Sequence, residues 1–135
     1  MRTLYDFILE SLEESNAFII LKPEFLEYEQ KWYDTIIENG WEILDRIEIH
    51  LSLDQAKNLY KGLCDKPFFN DLCKYMSSGP CICAKCYKDC NNPIKEMKQI
   101  KYKFRDMYGK NDMKNVMHSS DSLKNVNREA KIIFG

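Results

Sequence analysis

Five consecutive apolar residues, Ala17-Phe18-Ile19-Ile20-Leu21, constrain this chain more than any other stretch. The run is too short for a helix of its own and leaves no polar face, so it reads as a buried strand. A buried strand needs partners, and three more strands are predicted. Trp41, Ile43, Ile47, Ile49 and Leu51 fall at alternate positions, the pattern of a strand with one wet face. Cys81 to Tyr87 reads as a third strand, entered from the turn Ser77-Ser78-Gly79-Pro80. The apolar step Val116-Met117 reads as a short fourth, with His118 just past its end at the start of a polar turn.

Helical spacing fills the intervals. Leu4, Ile8 and Leu12 share one stripe, which predicts an amphipathic helix within an N-terminal extension, residues 1–15. Pro23 suits the first turn of a helix carrying Phe25, Leu26, Trp32, Tyr33, Ile36 and Ile37, and Asn39-Gly40 ends it. Ser52-Leu53-Asp54-Gln55 is a capping box opening a helix with Ala56, Leu59 and Tyr60. Asp65-Lys66-Pro67 starts another, with Phe69, Leu72, Cys73 and Met76 inward. Asn92-Pro93 opens a helix through about Ile100, followed by an irregular basic segment. The last helix, 122–132, places Leu123, Val126 and Ala130 on one face. This order predicts an α+β fold: a ferredoxin-like split βαβ, with a four-stranded antiparallel sheet and helices on its faces. It forms one domain over residues 16–135.

Composition narrows the function classes. A net charge of −1 gives no global pull towards nucleic acid or an anionic membrane, and neither is expected as a partner. No apolar run approaches the ~20 residues of a membrane span, and no secretory signal is visible. Six cysteines at irregular spacings fit a reducing compartment, so a cytoplasmic location is expected.

Three features could carry chemistry. The segment from Lys95 to Lys114 holds seven Lys/Arg against three acids, directly upstream of His118, and suits neutralisation of a phosphate-bearing substrate. A solvated surface is the bland alternative. Cys81, Cys83, Cys86 and Cys90 invite a zinc reading. Pleat geometry opposes it, because side chains three apart on a strand point to opposite faces, so Cys83 and Cys86 cannot share one tetrahedral ion. The third feature is a scattered set, Lys22, Tyr60, Lys66 to Phe69, Arg105, Asn115, His118 and Glu129, at or near strand and helix ends. The chain has two histidines, and His50 lies in a plain amphipathic strand, so imidazole chemistry falls to His118.

The motifs Leu21-Lys22-Pro23-Glu24, Lys66-Pro67-Phe68-Phe69, Tyr75-Met76-Ser77-Ser78-Gly79-Pro80 and Asn115-Val116-Met117-His118-Ser119-Ser120-Asp121-Ser122, with Arg128-Glu129 behind, resemble the nucleoside diphosphate kinases. The resemblance runs from about Asn16 to Phe134. It implies that His118 attacks the γ-phosphate of a nucleoside triphosphate and passes the phosphoryl group to a diphosphate through a phosphohistidine. Glu129 would hold the other ring nitrogen, and Ser120 would support that carboxylate. Lys22 and Tyr60 would stabilise the transferring group near the sugar 3′-hydroxyl, and Asn115 would bind the ribose. Arg105 and Lys66 would neutralise phosphates, with Lys98 matching a second phosphate-binding arginine. Phe68 would stack on the base and Leu72 would line its slot. Mg²⁺ would arrive on the nucleotide, with no protein side chain as a ligand. Nucleoside tri- and diphosphates are the implied substrates, and a homo-oligomer the implied assembly, a hexamer ahead of a tetramer or dimer.

Some positions depart from the family pattern. Lys66 stands where arginine is frequent, which keeps charge but loses the bidentate fork. Glu24 replaces an aspartate. Between the helix after Pro93 and Arg105 the chain has only Lys101-Tyr102-Lys103-Phe104, where relatives carry a long loop with a glycine-rich entry and a phosphate-binding threonine. A nucleotide-binding module with weak or no catalysis, and a small cysteine-rich zinc protein, are the competing readings.

Overall fold

The computed structural model describes residues 3, 4 and 14–135, so the expected N-terminal helix lies almost wholly outside the described residues. The apolar run forms β1 (Ala17–Leu21), buried at every position. It is joined by β2 (Glu42–His50), β3 (Pro80–Tyr87) and β4 (Met117–Ser119) in one sheet of order β2-β3-β1-β4. Every neighbouring pair is antiparallel. This is the expected ferredoxin-like α+β sheet. The central place of β1 explains its sequence, since a strand with helices on both faces has no wet side for polar residues.

The helices are α1 (Glu29–Glu38), α2 (Leu53–Leu59), α3 (Phe69–Met76), α4 (Pro93–Tyr108) and α5 (Leu123–Phe134). Alternation along β1 splits the core in two. Ala17, Ile19 and Leu21 pack with Trp32 and Ile36 of α1 and with Met97, Ile100 and Phe104 of α4. Phe18 and Ile20 pack with Ala56, Leu59, Leu72, Cys73, Met76, Val126 and Ala130 of α2, α3 and α5. Each fully buried Phe or Ile of β1 contributes roughly 1.5–3 kcal/mol over its exposed state. β3 follows the same parity: Cys81 and Cys83 belong to the second cluster and Cys86 to the first. The two cysteines of the Cys-x-x-Cys string therefore lie on opposite faces.

Several local signals act as read. Ser52 Oγ accepts from Gln55 N at 3.0 Å and Gln55 Oε1 accepts from Ser52 N at 2.9 Å, closing the capping box of α2. Gly40, at φ +88, ends α1 in the left-handed region where glycine carries no Cβ penalty.

Other expectations need correction. The helix after Pro23 does not start there. Glu24 takes a positive φ of 76, a short 3-10 turn spans Leu26–Tyr28, and α1 begins at Glu29. β2 is wetter than one face of a strand should be, with Ile47 40% exposed, because it is an edge strand. The largest correction is α4. Its helix does not stop at Ile100 but runs on to Tyr108, so the basic segment expected to be irregular is mostly helical. Phe104 continues the stripe of Met97 and Ile100 one turn further and is fully buried, and this anchors the charged stretch to the sheet.

Candidate active site

β4 is only three residues long, and His118 is its middle residue, opposite Ile20 of β1, rather than just past the strand end. The approach to it is strained. Val116 has φ 80, and Met117 N donates to Asn115 O at 3.0 Å across it, a γ-turn centred on a β-branched residue. Such a turn costs of order 1–3 kcal/mol. It is held by Lys22 N donating to Val116 O at 2.8 Å and by complete burial of the valine side chain. The turn puts Asn115 and His118 on the same cavity wall.

On α5, Val126, Glu129 and Ala130 form the buried face, so Glu129 replaces an apolar residue on an inward stripe. Its Oε1 lies 2.5 Å from His118 Nε2. Ser122 caps the helix, its hydroxyl accepting from Asn125 N at 3.1 Å. With Nε2 engaged by a carboxylate that can only accept, the neutral ring carries its proton on Nε2, and Nδ1 keeps its lone pair. Among the described residues Nδ1 has no hydrogen-bond partner. Arg128 braces the same element. Its guanidinium donates to the carbonyls of Asn58 at 2.7 Å and Leu59 at 3.2 Å, at the C-terminal end of α2.

Tyr60 follows directly on α2, and its ring meets that of His118 edge-on with centroids 5.2 Å apart. The phenol oxygen is buried without a hydrogen-bond partner. Burial, then the Glu129 carboxylate, pushes its pKa well above the ordinary value, so it stays a neutral donor. Lys22, just past β1, is 4% exposed. Its ammonium donates to Asn115 Oδ1 at 2.7 Å and Met113 O at 3.2 Å. Burial, then Arg105 and Lys101, bring its pKa down to about 7. Arg105 of α4 donates from Nη2 to Met117 O at 3.1 Å and leaves its buried Nε unpartnered. Burial lowers its pKa as well.

These groups line one cavity of about 580 Å³. Lys22, Tyr60, Phe68, Leu72, Arg105, Asn115, His118 and Glu129 all border it. Phe68 is 46% exposed on the cavity lining, whereas Leu72 is buried. Three expected residues are elsewhere. Lys66 is exposed on the turn before α3 and does not line the cavity. Lys98 pairs with Asp121 at 3.5 Å outside the cavity wall, because it lies on a more exposed face of α4. The Ser120 hydroxyl lies 3.5 Å from Phe18 O, not on Glu129, since β4 pairing turns it towards β1. Sequence reading missed Lys101 and gave Arg128 no role, yet both line the cavity. The helical stripe continued past Ile100 would have found Lys101.

Comparison with known proteins places the chain in a family. The family described as nucleoside diphosphate kinase matches residues 15–135. The chain belongs to that family. It is 31% identical over 134 residues to a nucleoside diphosphate kinase of Helicobacter pylori (strain G27), covering 85% of this chain and 91% of that one. It is 29% identical over 126 residues to human nucleoside diphosphate kinase homolog 5, covering 85% of this chain and 59% of the human protein. The chain thus spans less than two thirds of that relative's length. Among solved structures, the Aquifex aeolicus nucleoside diphosphate kinase superposes with a TM-score of 0.74 at 26% identity, covering 88% of this chain and 94% of that one. Family membership supports a nucleotide-binding kinase, a transferase of phosphoryl groups.

Proposed function

We propose that this protein transfers the γ-phosphate of a nucleoside triphosphate to a nucleoside diphosphate through a phosphohistidine at His118. The observation that carries the reading is the 2.5 Å contact between His118 Nε2 and the buried Glu129 carboxylate, in a cavity that Lys22, Lys101, Arg105 and Arg128 also line. Nδ1 attacks the γ-phosphorus in line, the N–P bond forms, and the bond to the β–γ bridging oxygen breaks with its electron pair leaving on the diphosphate. Glu129 stabilises the charge that grows on the ring. In the second half-reaction a terminal oxygen of another nucleoside diphosphate attacks the same phosphorus and the N–P bond breaks, restoring the imidazole.

Lys22 and Arg105 neutralise the transferring oxygens, and the unpartnered Tyr60 hydroxyl donates to the phosphoryl or the sugar 3′-hydroxyl. Asn115 binds the ribose, and Phe68 stacks on the base with little discrimination. Mg²⁺ would be borne by the nucleotide, with Asp112 and Asp121 the carboxylates of the cavity not engaged by His118. When bound, the ion would supply charge neutralisation to the phosphates.

A homo-oligomer belongs to the same reading, supported by the outer edge of β2, unpaired among the described residues, and its exposed Ile47. Six free thiols support a reducing, cytoplasmic setting.

The test is incubation with γ-labelled ATP. A phosphoprotein stable to alkali, labile to acid and absent from His118→Ala is expected. ADP binding without any phosphoprotein would instead make the protein a nucleotide-binding module.

A further inference from the structure

The buried residues of α4 are Met97, Ile100, Lys101 and Phe104. The spacing i, i+3, i+4, i+7 is the stripe that a packed helix fills with apolar side chains. Lys101 is the exception, and only 6% of it is exposed. Among the described residues its ammonium makes no hydrogen bond and no salt bridge. The ring of Tyr102 lies 5.0 Å away, and the Asp121 carboxylate acts on the ammonium without pairing with it. Lys98, one turn earlier, has the opposite environment, paired with Asp121 and outside the cavity wall.

A buried ammonium without a counterion is costly to the folded state, and Arg105, one turn further along α4, adds like-charge repulsion. Lys22 lies on the same cavity wall and brings a third positive charge. Nothing in the packing of α4 requires a cation at 101, since a methionine would fill the same stripe. Lys22, Lys101 and Arg105, three of the four cations on this wall, match a ligand carrying several negative charges, since neither Asp112 nor Asp121 on the same wall pairs with Lys101.

We propose that Lys101 is a phosphate-binding residue for the nucleotide, reaching the phosphate chain from inside α4. The inference rests on the nucleotide-kinase reading above. It assigns to Lys101 the role that the motif resemblance gave to Lys98. Burial, then Arg105, brings the Lys101 pKa down to about 8, against a smaller opposing pull from Asp121, and an incoming phosphate would favour the charged ammonium.

The test separates ligand binding from structural support. Lys101→Met, Lys101→Arg and Lys98→Met are compared with the wild type by ADP titration at pH 7 and by melting without nucleotide. Lys101→Met should weaken ADP about tenfold or more while its melting temperature holds or rises, because a buried unpaired charge has been removed. Lys101→Arg and Lys98→Met should stay within about threefold of the wild type. Should Lys101→Met not fold, Lys101→Gln takes its place in the same comparison. Unchanged ADP affinity in the uncharged variant, with a wild type that binds, overturns this inference alone. So does a loss matched by a fall in melting temperature. A wild type that does not bind ADP overturns both this inference and the nucleotide reading.

Discussion

Replacing Glu129 by glutamine isolates what its charge does. Glutamine keeps a carbonyl oxygen that can accept the Nε2–H of His118, so the ring tautomer and the 2.5 Å geometry have no reason to change. What disappears is the negative charge behind an imidazole that becomes cationic as Nδ1 bonds to phosphorus. Glu129 is 3% exposed, so solvent screens this interaction little. A hydrogen bond to a charged group contributes about 1.5–3 kcal/mol. At about 1.4 kcal/mol per factor of ten, phosphorylation should slow by about 10- to 150-fold. The side effect is small. Arg128 loses a contact of 3.8 Å to Glu129 but keeps its carbonyl partners at Asn58 and Leu59. Rapid quenching with γ-labelled ATP, counting acid-labile phosphoprotein, gives the rate, and ADP titration gives the affinity. A phosphorylation rate within about twofold of wild type would refute the role of the carboxylate. A loss appearing wholly as weaker ADP binding would refute it too.

The depressed Lys22 pKa of about 7 makes two pH trends run in opposite directions. The unfolded chain holds that proton up to its ordinary value near 10.5 while the folded chain releases it near 7, so this group's contribution to apo stability rises with pH across that window. Melting temperatures of the nucleotide-free protein from pH 7 to 9 should show the rise, flattened in Lys22→Met. ADP needs the charged ammonium, so its affinity should fall across the same range in wild type, with a weaker fall in the variant. At Val116, whose φ is 80, the usual ranking of alanine over glycine should invert. Val116→Gly should be more stable than Val116→Ala by about 1 kcal/mol in chemical denaturation, and the reverse order would remove the strain from the account.

Much of the fold was legible because it follows from local rules. The gapless apolar run at β1, the capping box at Ser52 and Asn39-Gly40 after α1 each have one physical solution, and those solutions are observed. The pleat parity that separates Cys83 from Cys86 is equally local. α4 was misread because charge obscured its period. Four of the eight residues Lys101 to Tyr108 are charged, yet Phe104 keeps the stripe, and burial against β1 outweighs the polar content. Glu24 could not be foreseen, since its positive φ is imposed by the chain reversal between β1 and the 3-10 turn.

For the site, the residue string around His118 and the acid at 129 already pointed to an imidazole held by a carboxylate. Their meeting needed the sheet, because β4 pairs with β1 and α5 packs beneath it to bring residues eleven positions apart to 2.5 Å. The sequence alone determined which chemical groups were available and which segments would be strands and helices, since those depend on neighbours a few residues away. Only the tertiary structure decided which cations face the cavity. Lys66, Lys98 and Lys101 are the same side chain in one dimension, and what distinguishes them is the direction each leaves its backbone relative to a core built from distant parts of the chain.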